Sequence, residues 1–145
     1  MVIRDYRPDD FPQVEALWKE TGIYTVERGD SSDIILRCNQ SGGKFLVMEE
    51  EQTGLVAGTS WITCDGRRFF LHHFAIRPDH QGQGLGRKLA LKSLEFARES
   101  NVPVKLEVHR SNQAAVKLYR SLGFKVFDNY DVYMILDPGT AFEAP

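Results

Sequence analysis

The spacing of apolar residues changes several times along the chain, and each change marks an element. Val2 to Tyr6 alternates as a short strand does. Pro8-Asp9-Asp10 supplies turn and N-cap chemistry, and Phe11, Val14, Leu17 and Trp18 then recur at helical spacing. A second helix is expected from about Ser31 to Cys38, with Ile34, Ile35 and Cys38 on one stripe and Ser41-Gly42-Gly43 closing it. Phe45 to Met48 and Leu55 to Thr63 read as strands joined through Glu51-Gln52-Thr53-Gly54. Asp65-Gly66 turns the chain into a third, aromatic-rich strand, Phe69 to Ile76, whose alternation puts His72 and His73 on opposite faces.

Leu85 to Ser100 is the strongest helix, with Leu85, Leu89, Leu94, Phe96 and Ala97 carrying its apolar surface. A strand is expected over Val102 to Val108. A helix over Asn112 to Leu122 follows, with Ala115, Leu118, Tyr119 and Leu122 on a stripe and Gly123 as its stop. Phe124 to Phe127 and Val132 to Leu136 read as a closing antiparallel pair, and residues 138–145 as a poorly ordered tail. The expectation is one α/β (α+β) domain over residues 1–137. Its mixed, mostly antiparallel sheet has about seven strands, flanked by about four helices.

Composition narrows the class. The 145 residues are 42% hydrophobic and 26% charged, enough for one domain with a real core. Net charge is −2, with both signs interspersed, so no basic block marks a nucleic-acid surface. Cys38 and Cys64 form no CxxC and have no histidine placed to complete a metal set. A disulfide between them and two reduced thiols are both compatible with the spacing; the thiols are the expectation in a reducing compartment. The N-terminus carries charges where a signal peptide needs apolar residues, and no run of about 18 apolar residues occurs. A cytoplasmic protein without a membrane partner is expected.

Two stretches carry chemistry. In "HHFAIRPDHQGQGLGRK", a strand ends in Arg-Pro, and Gly82, Gly84 and Gly86 then open the long helix. Glycines let successive N–H groups face an anion, and a helix N-terminus adds unpaired donors and positive potential. Arg87 and Lys88 add cationic side chains. A purely structural turn is the alternative. The spacing is neither the GxxxxGK[ST] of a Walker A loop nor the GxGxxG of a dinucleotide fold. Gln81-x-x-Gly84-x-Gly86 instead resembles the acyl-CoA signature of the GNAT superfamily of N-acetyltransferases, and the resemblance extends over roughly residues 2 to 137.

The second stretch, "LEVHRSNQAAVKLYRSLGFK", resembles a region of the ribosomal-protein alanine N-acetyltransferases within that superfamily. The resemblance implies acetyl-CoA as co-substrate, no metal, and an acceptor that is a small-molecule, peptide or protein amine. The assembly would be a monomer or a homodimer. It implies that Gln81, Gly82, Gln83, Gly84, Leu85, Gly86 and Arg87 hold the pyrophosphate and that Asn112 contacts CoA. Phe74, Ala75 and Ile76 would pair with the pantetheine arm, one N–H polarising the thioester carbonyl. Glu107 would be the general base and Tyr119 the general acid. "GIYTVERGDSSDIILRCNQSGG" falls where the family builds its acceptor wall, and His109 stands where those enzymes usually have Arg.

The residues also have plainer readings: a core tyrosine for Tyr119, and a solvated face of Lys105, Glu107 and His109. Proton transfer from a lysine ammonium at ~10.4 to an ordinary glutamate at ~4.3 is uphill by about 8 kcal/mol, and from an α-amine at ~7.8 by about 5 kcal/mol. His72, with a reference value of ~6.5, competes for the base role and resembles a relay histidine of some GNAT arylalkylamine enzymes. Either residue stays open as the base. A non-catalytic acyl-CoA-binding domain, a transferase using another acyl-CoA and a nucleotide-binding module are the alternative functions.

Overall fold

The computed structural model describes residues 1–24 and 30–143. Five strands form one sheet in chain order: β1 (Val2–Asp5), β2 (Lys44–Glu49), β3 (Val56–Cys64), β4 (Phe69–Ile76) and β5 (Val104–Leu106). The first four are antiparallel neighbours, and β5 joins β4 in parallel after a helical crossover. The helices are α1 (Phe11–Thr21), α2 (Ser32–Gln40), α3 (Leu85–Ser100) and α4 (Gln113–Ser121). The side chain of Ser31 caps α2 by accepting from the N–H of Ile34, and that of Asn112 caps α4 by accepting from Ala115.

Each sheet face has its own core. On the α1–α2 side, Trp18 lies with Phe45 and Trp61 at centroid distances of 5.9 and 6.1 Å, among buried Val14, Leu17 and Ile35. On the other side, Leu85, Leu89 and Ala97 of α3 pack on β2, β3 and β4. A β-carbon on Gly58 of β3 would lie 2.8 Å from Cδ1 of Ile76 and 3.1 Å from the carbonyl oxygen of Ala75, so a side chain here would force Ile76 and the β4 backbone to shift. Near the N-terminus, Arg4 pairs with both Asp10 and Glu49. Burial alone would raise the Asp10 carboxyl, but the Arg4 guanidinium and the Arg7 N–H hold it below its ordinary value.

Three sequence expectations change. The described residues carry five strands rather than about seven: Phe124–Phe127 and Val132–Leu136 pair with nothing, and Phe127, Tyr133 and Met134 are exposed. Alternation makes a segment able to be a strand, but ladder bonds need a partner edge, and β5 is only three residues long. The expected 102–108 strand is correspondingly cut to Val104–Leu106, because pairing with β4 stops at Leu71 and Leu106. The tail contains a 3₁₀ turn, Pro138–Phe142, capped when the Asp137 carboxylate accepts from the N–H of Gly139. Ala144 and Pro145 lie outside the described residues.

Candidate active site

The end of β4 is where the fold opens. Beyond Leu71, residues 72–76 continue without β5 beside them, and the two parallel strands part. α3 starts next to this opening, α4 packs over it, and Leu118 of α4, Ile76 and Phe74 surround Gly86. The Arg87 guanidinium donates to the hydroxyl of Ser121 at 3.0 Å, tying the first turn of α3 to the end of α4.

The glycine loop has the properties of an anion cradle. Gly84 is the N-cap of α3 with φ +78°, and no side chain caps the helix there, unlike α2 and α4. A β-carbon at Gly82 or Gly84 would meet no protein atom within 4 Å. Side chains at these positions would thus occupy space beside the helix N-terminus that the glycines leave open. The loop is held from behind. The Gln81 amide donates to the carbonyl of Ile76 at 2.9 Å, and His80 bridges Glu50 at 2.7 Å and Asp79 at 2.8 Å. Both carboxylates raise the His80 pKa, Glu50 first, which favours the charged bridge. Gln81 thus anchors the loop, and Asn112 uses its side-chain oxygen as a cap.

A β-bulge shapes the middle of β4. Thr59 pairs with Ala75 and Trp61 with His72, so Ser60 alone faces both His73 and Phe74. His73 has φ +46°, a left-handed backbone that costs a non-glycine residue about 1–3 kcal/mol. The extra residue overturns the expected alternation. His72 and His73 both reach the α1–α2 side, their rings 6.1 and 5.2 Å from Trp61, while Phe74 turns to the α3–α4 side. Thr59 locks the bulge: its hydroxyl donates to the His73 carbonyl at 2.8 Å and accepts from Nε1 of Trp18 at 3.0 Å.

The candidate acid and bases have different surroundings. Tyr119 is buried against Phe74 and Phe124, edge-on at 5.9 and 5.7 Å, and burial pushes its phenol up to about 12. His72 stacks on Phe70 at 4.2 Å and hydrogen-bonds Thr63 through Nε2 at 2.9 Å. Burial, then the neighbouring His73, pushes the His72 pKa down to about 4 against a smaller opposing pull from Asp30. The closeness to an amine's pKa that favoured His72 is thereby lost. Glu107 is exposed just past β5.

Sequence reasoning missed a pair. Asp30, in the loop before α2, places a carboxylate oxygen 3.0 Å from Nε2 of His73, with their side chains 5% and 17% exposed. Only the doubled histidine in an apolar strand hinted at it. Thr25 to Gly29, part of the expected acceptor wall, lie outside the described residues.

The depressed His72 pKa has a consequence for stability. The unfolded chain binds a proton near pH 6.5 and the folded chain only near 4, so stability is full above 6.5 and falls as pH drops toward 4. Urea midpoints should fall less steeply across that window for His72→Gln than for the wild type. Parallel curves would show that His72 is not neutral in the fold.

The chain belongs to the GNAT acetyltransferase family, whose profile matches residues 9–124. The L-amino acid N-acyltransferase MnaT of Escherichia coli is 38% identical over 88 residues, 57% of this chain and 51% of that protein. Acetyltransferase SG1711 of Sodalis glossinidius is 28% identical over 130 residues, 89% of this chain and 90% of that protein. The chain thus spans about half the length of the first relative and most of the second. Among solved structures, yncA of Salmonella typhimurium with its cofactor acetyl-CoA superposes with a TM-score of 0.70 and 27% identity, over 88% of this chain and 80% of that one. A ribosomal-protein-alanine N-acetyltransferase from Brucella melitensis shares the fold, with a TM-score of 0.72 and 24% identity over 86% of this chain and 85% of that one. No helix among the described residues is long and apolar enough to cross a membrane.

Proposed function

We propose that this chain is an acetyl-CoA-dependent N-acetyltransferase in which a primary amine attacks the thioester directly in a ternary complex. The observation that carries this is the uncapped, glycine-opened N-terminus of α3 beside the gap between β4 and β5. The N–H groups of residues 82–87 bind the pyrophosphate, helped by Arg87, with Asn112 at the start of α4 as a further contact. Acetyl-CoA supplies an activated acyl carbon on a thiol leaving group. Backbone groups of Phe74, Ala75 and Ile76, freed from β5, align the pantetheine arm and offer an N–H to the thioester oxygen. Tyr119 stays protonated at neutral pH and donates toward the departing sulfur. Glu107 and His72 are the acceptor-side candidates named by resemblance, and no cysteine nucleophile is needed.

The relatives' names favour a small amine such as an amino acid as acceptor. A thiol-release assay with acetyl-CoA across amino acids, polyamines and peptides tests the reading. It should show amine-dependent CoASH, and tight acetyl-CoA binding with no release from any amine would replace it with a non-catalytic binding domain.

A further inference from the structure

We propose that His73 and Asp30 form the base of the acceptor site, His73 receiving the amine's proton on Nδ1 and Asp30 positioning the ring through Nε2. This rests on the N-acetyltransferase reading.

Three observations carry it. First, a carboxylate that is almost fully buried stands 3.0 Å from an imidazole nitrogen, and an ionised carboxylate can only accept. The proton of neutral His73 is therefore on Nε2, and the basic lone pair is on Nδ1. Second, the ring lies between Trp18 and Trp61 at 4.4 and 5.2 Å, on a backbone strained to φ +46° and locked by Thr59. A strained residue held this firmly is characteristic of a functional position. Third, the bulge sends consecutive residues of β4 to opposite faces: His73 toward α1, and Phe74 toward Tyr119. A base and an acid thus flank the stretch of β4 that has left β5.

The alternatives are weaker on the same grounds. The Nε2 of His72 is engaged by Thr63, and its basicity is suppressed by burial. A proton from an α-amine at ~7.8 would pass strongly uphill to reach a group near 4. Among the described residues, the titratable groups around the pair are His72, with its ring 6.4 Å from that of His73, and Tyr24, whose pKa burial, Glu15 and, less, Asp30 raise; α1 and β3 face it with uncharged Trp18 and Trp61.

In the step itself, the nitrogen–carbon bond forms as the amine proton passes to Nδ1 of His73. The carbon–sulfur bond then breaks, and its electron pair leaves on sulfur, which accepts a hydrogen bond from Tyr119 and takes its proton from water. His73 returns its proton to solvent, and the sum is amine plus thioester giving amide plus thiol.

The test uses the full chain, acetyl-CoA and the best amine found by thiol release. His73→Gln should lower kcat/KM between about 10- and 100-fold, with acetyl-CoA affinity and melting temperature close to wild type. Asp30→Asn keeps a hydrogen-bonding side chain but removes the charge that favours the imidazolium. The acidic limb of kcat/KM should therefore move to lower pH, and Asp30→Glu should move it part of the way back. Wild-type activity in His73→Gln, or an acidic limb that follows His72→Gln or Glu107→Gln instead, overturns the proposal and leaves the transferase reading standing. If no amine releases CoASH, the transferase reading fails, and ¹⁵N imidazole spectra of the free protein still decide the pair. They should show the His73 proton on Nε2; a proton on Nδ1 refutes the assignment.

Discussion

Replacing Gly84 with valine is expected to weaken acetyl-CoA binding by about 100-fold or more while leaving the protein folded. Two effects separate cleanly at this residue. The left-handed backbone at φ +78° costs a side chain about 1–2 kcal/mol, whatever surrounds it. A β-carbon there meets no protein atom within 4 Å, so the added side chain projects into the open space beside the start of α3. Losing two charge-assisted hydrogen bonds to phosphate costs roughly 3–6 kcal/mol, and about 2.7 kcal/mol is already a hundredfold. Gly66, in the turn between β3 and β4, is the control: φ is +85° and its surroundings are equally open. Gly66→Val should lower the melting temperature by a similar amount and leave calorimetric binding of acetyl-CoA unchanged. Equal affinity in both variants would show that the loop does not hold the pyrophosphate.

Tyr119→Phe is expected to reduce turnover about 100-fold and to change acetyl-CoA affinity by less than about threefold, since the ring and its packing remain. Burial sharpens what the hydroxyl can do. With its pKa near 12, the phenol is protonated across the working range and always able to donate. Complete transfer to a thiolate of ordinary pKa, ~8.5, is uphill by about 5 kcal/mol. In the proposed mechanism the hydroxyl therefore acts mainly as a hydrogen-bond donor to charge developing on sulfur. The wild-type pH–rate profile should lack a basic limb from this residue below about pH 11. The linked stability effect has a definite sign: the folded pKa is raised, so stability holds below pH 10 and is lost as pH climbs from 10 toward 12. An unchanged rate in Tyr119→Phe would remove the residue from the reaction.

Much of this architecture was legible because it is local. α3 was readable to the residue from its apolar stripe, and β4 from its aromatic run and flanking turns. The Gly123 stop follows from the residue type, because the backbone there has φ +97°, which favours glycine. The glycine loop was legible for the same reason: the need for positive φ at Gly82 and Gly84 is written in the residue type itself. The closing strand pair was not. Its alternation is as clear as that of β1, but β1 has β2 beside it, and residues 124–136 have no paired edge.

The acceptor side shows the same division. The sequence by itself determined the helices, the glycine loop before α3 and the residue types available for proton transfer, all of which depend on neighbours within a few positions. Only the tertiary structure decided which of the two β4 histidines meets a carboxylate. One extra residue in β4 opposite Ser60 reverses the alternation, brings His73 to the face of His72, and sets it beside an aspartate 43 positions earlier. Burial, also a property of the assembled fold, then separated the candidates, pushing His72 down to about 4 and Tyr119 up to about 12. Strand register and desolvation arise between segments distant in sequence, so no local pattern records them.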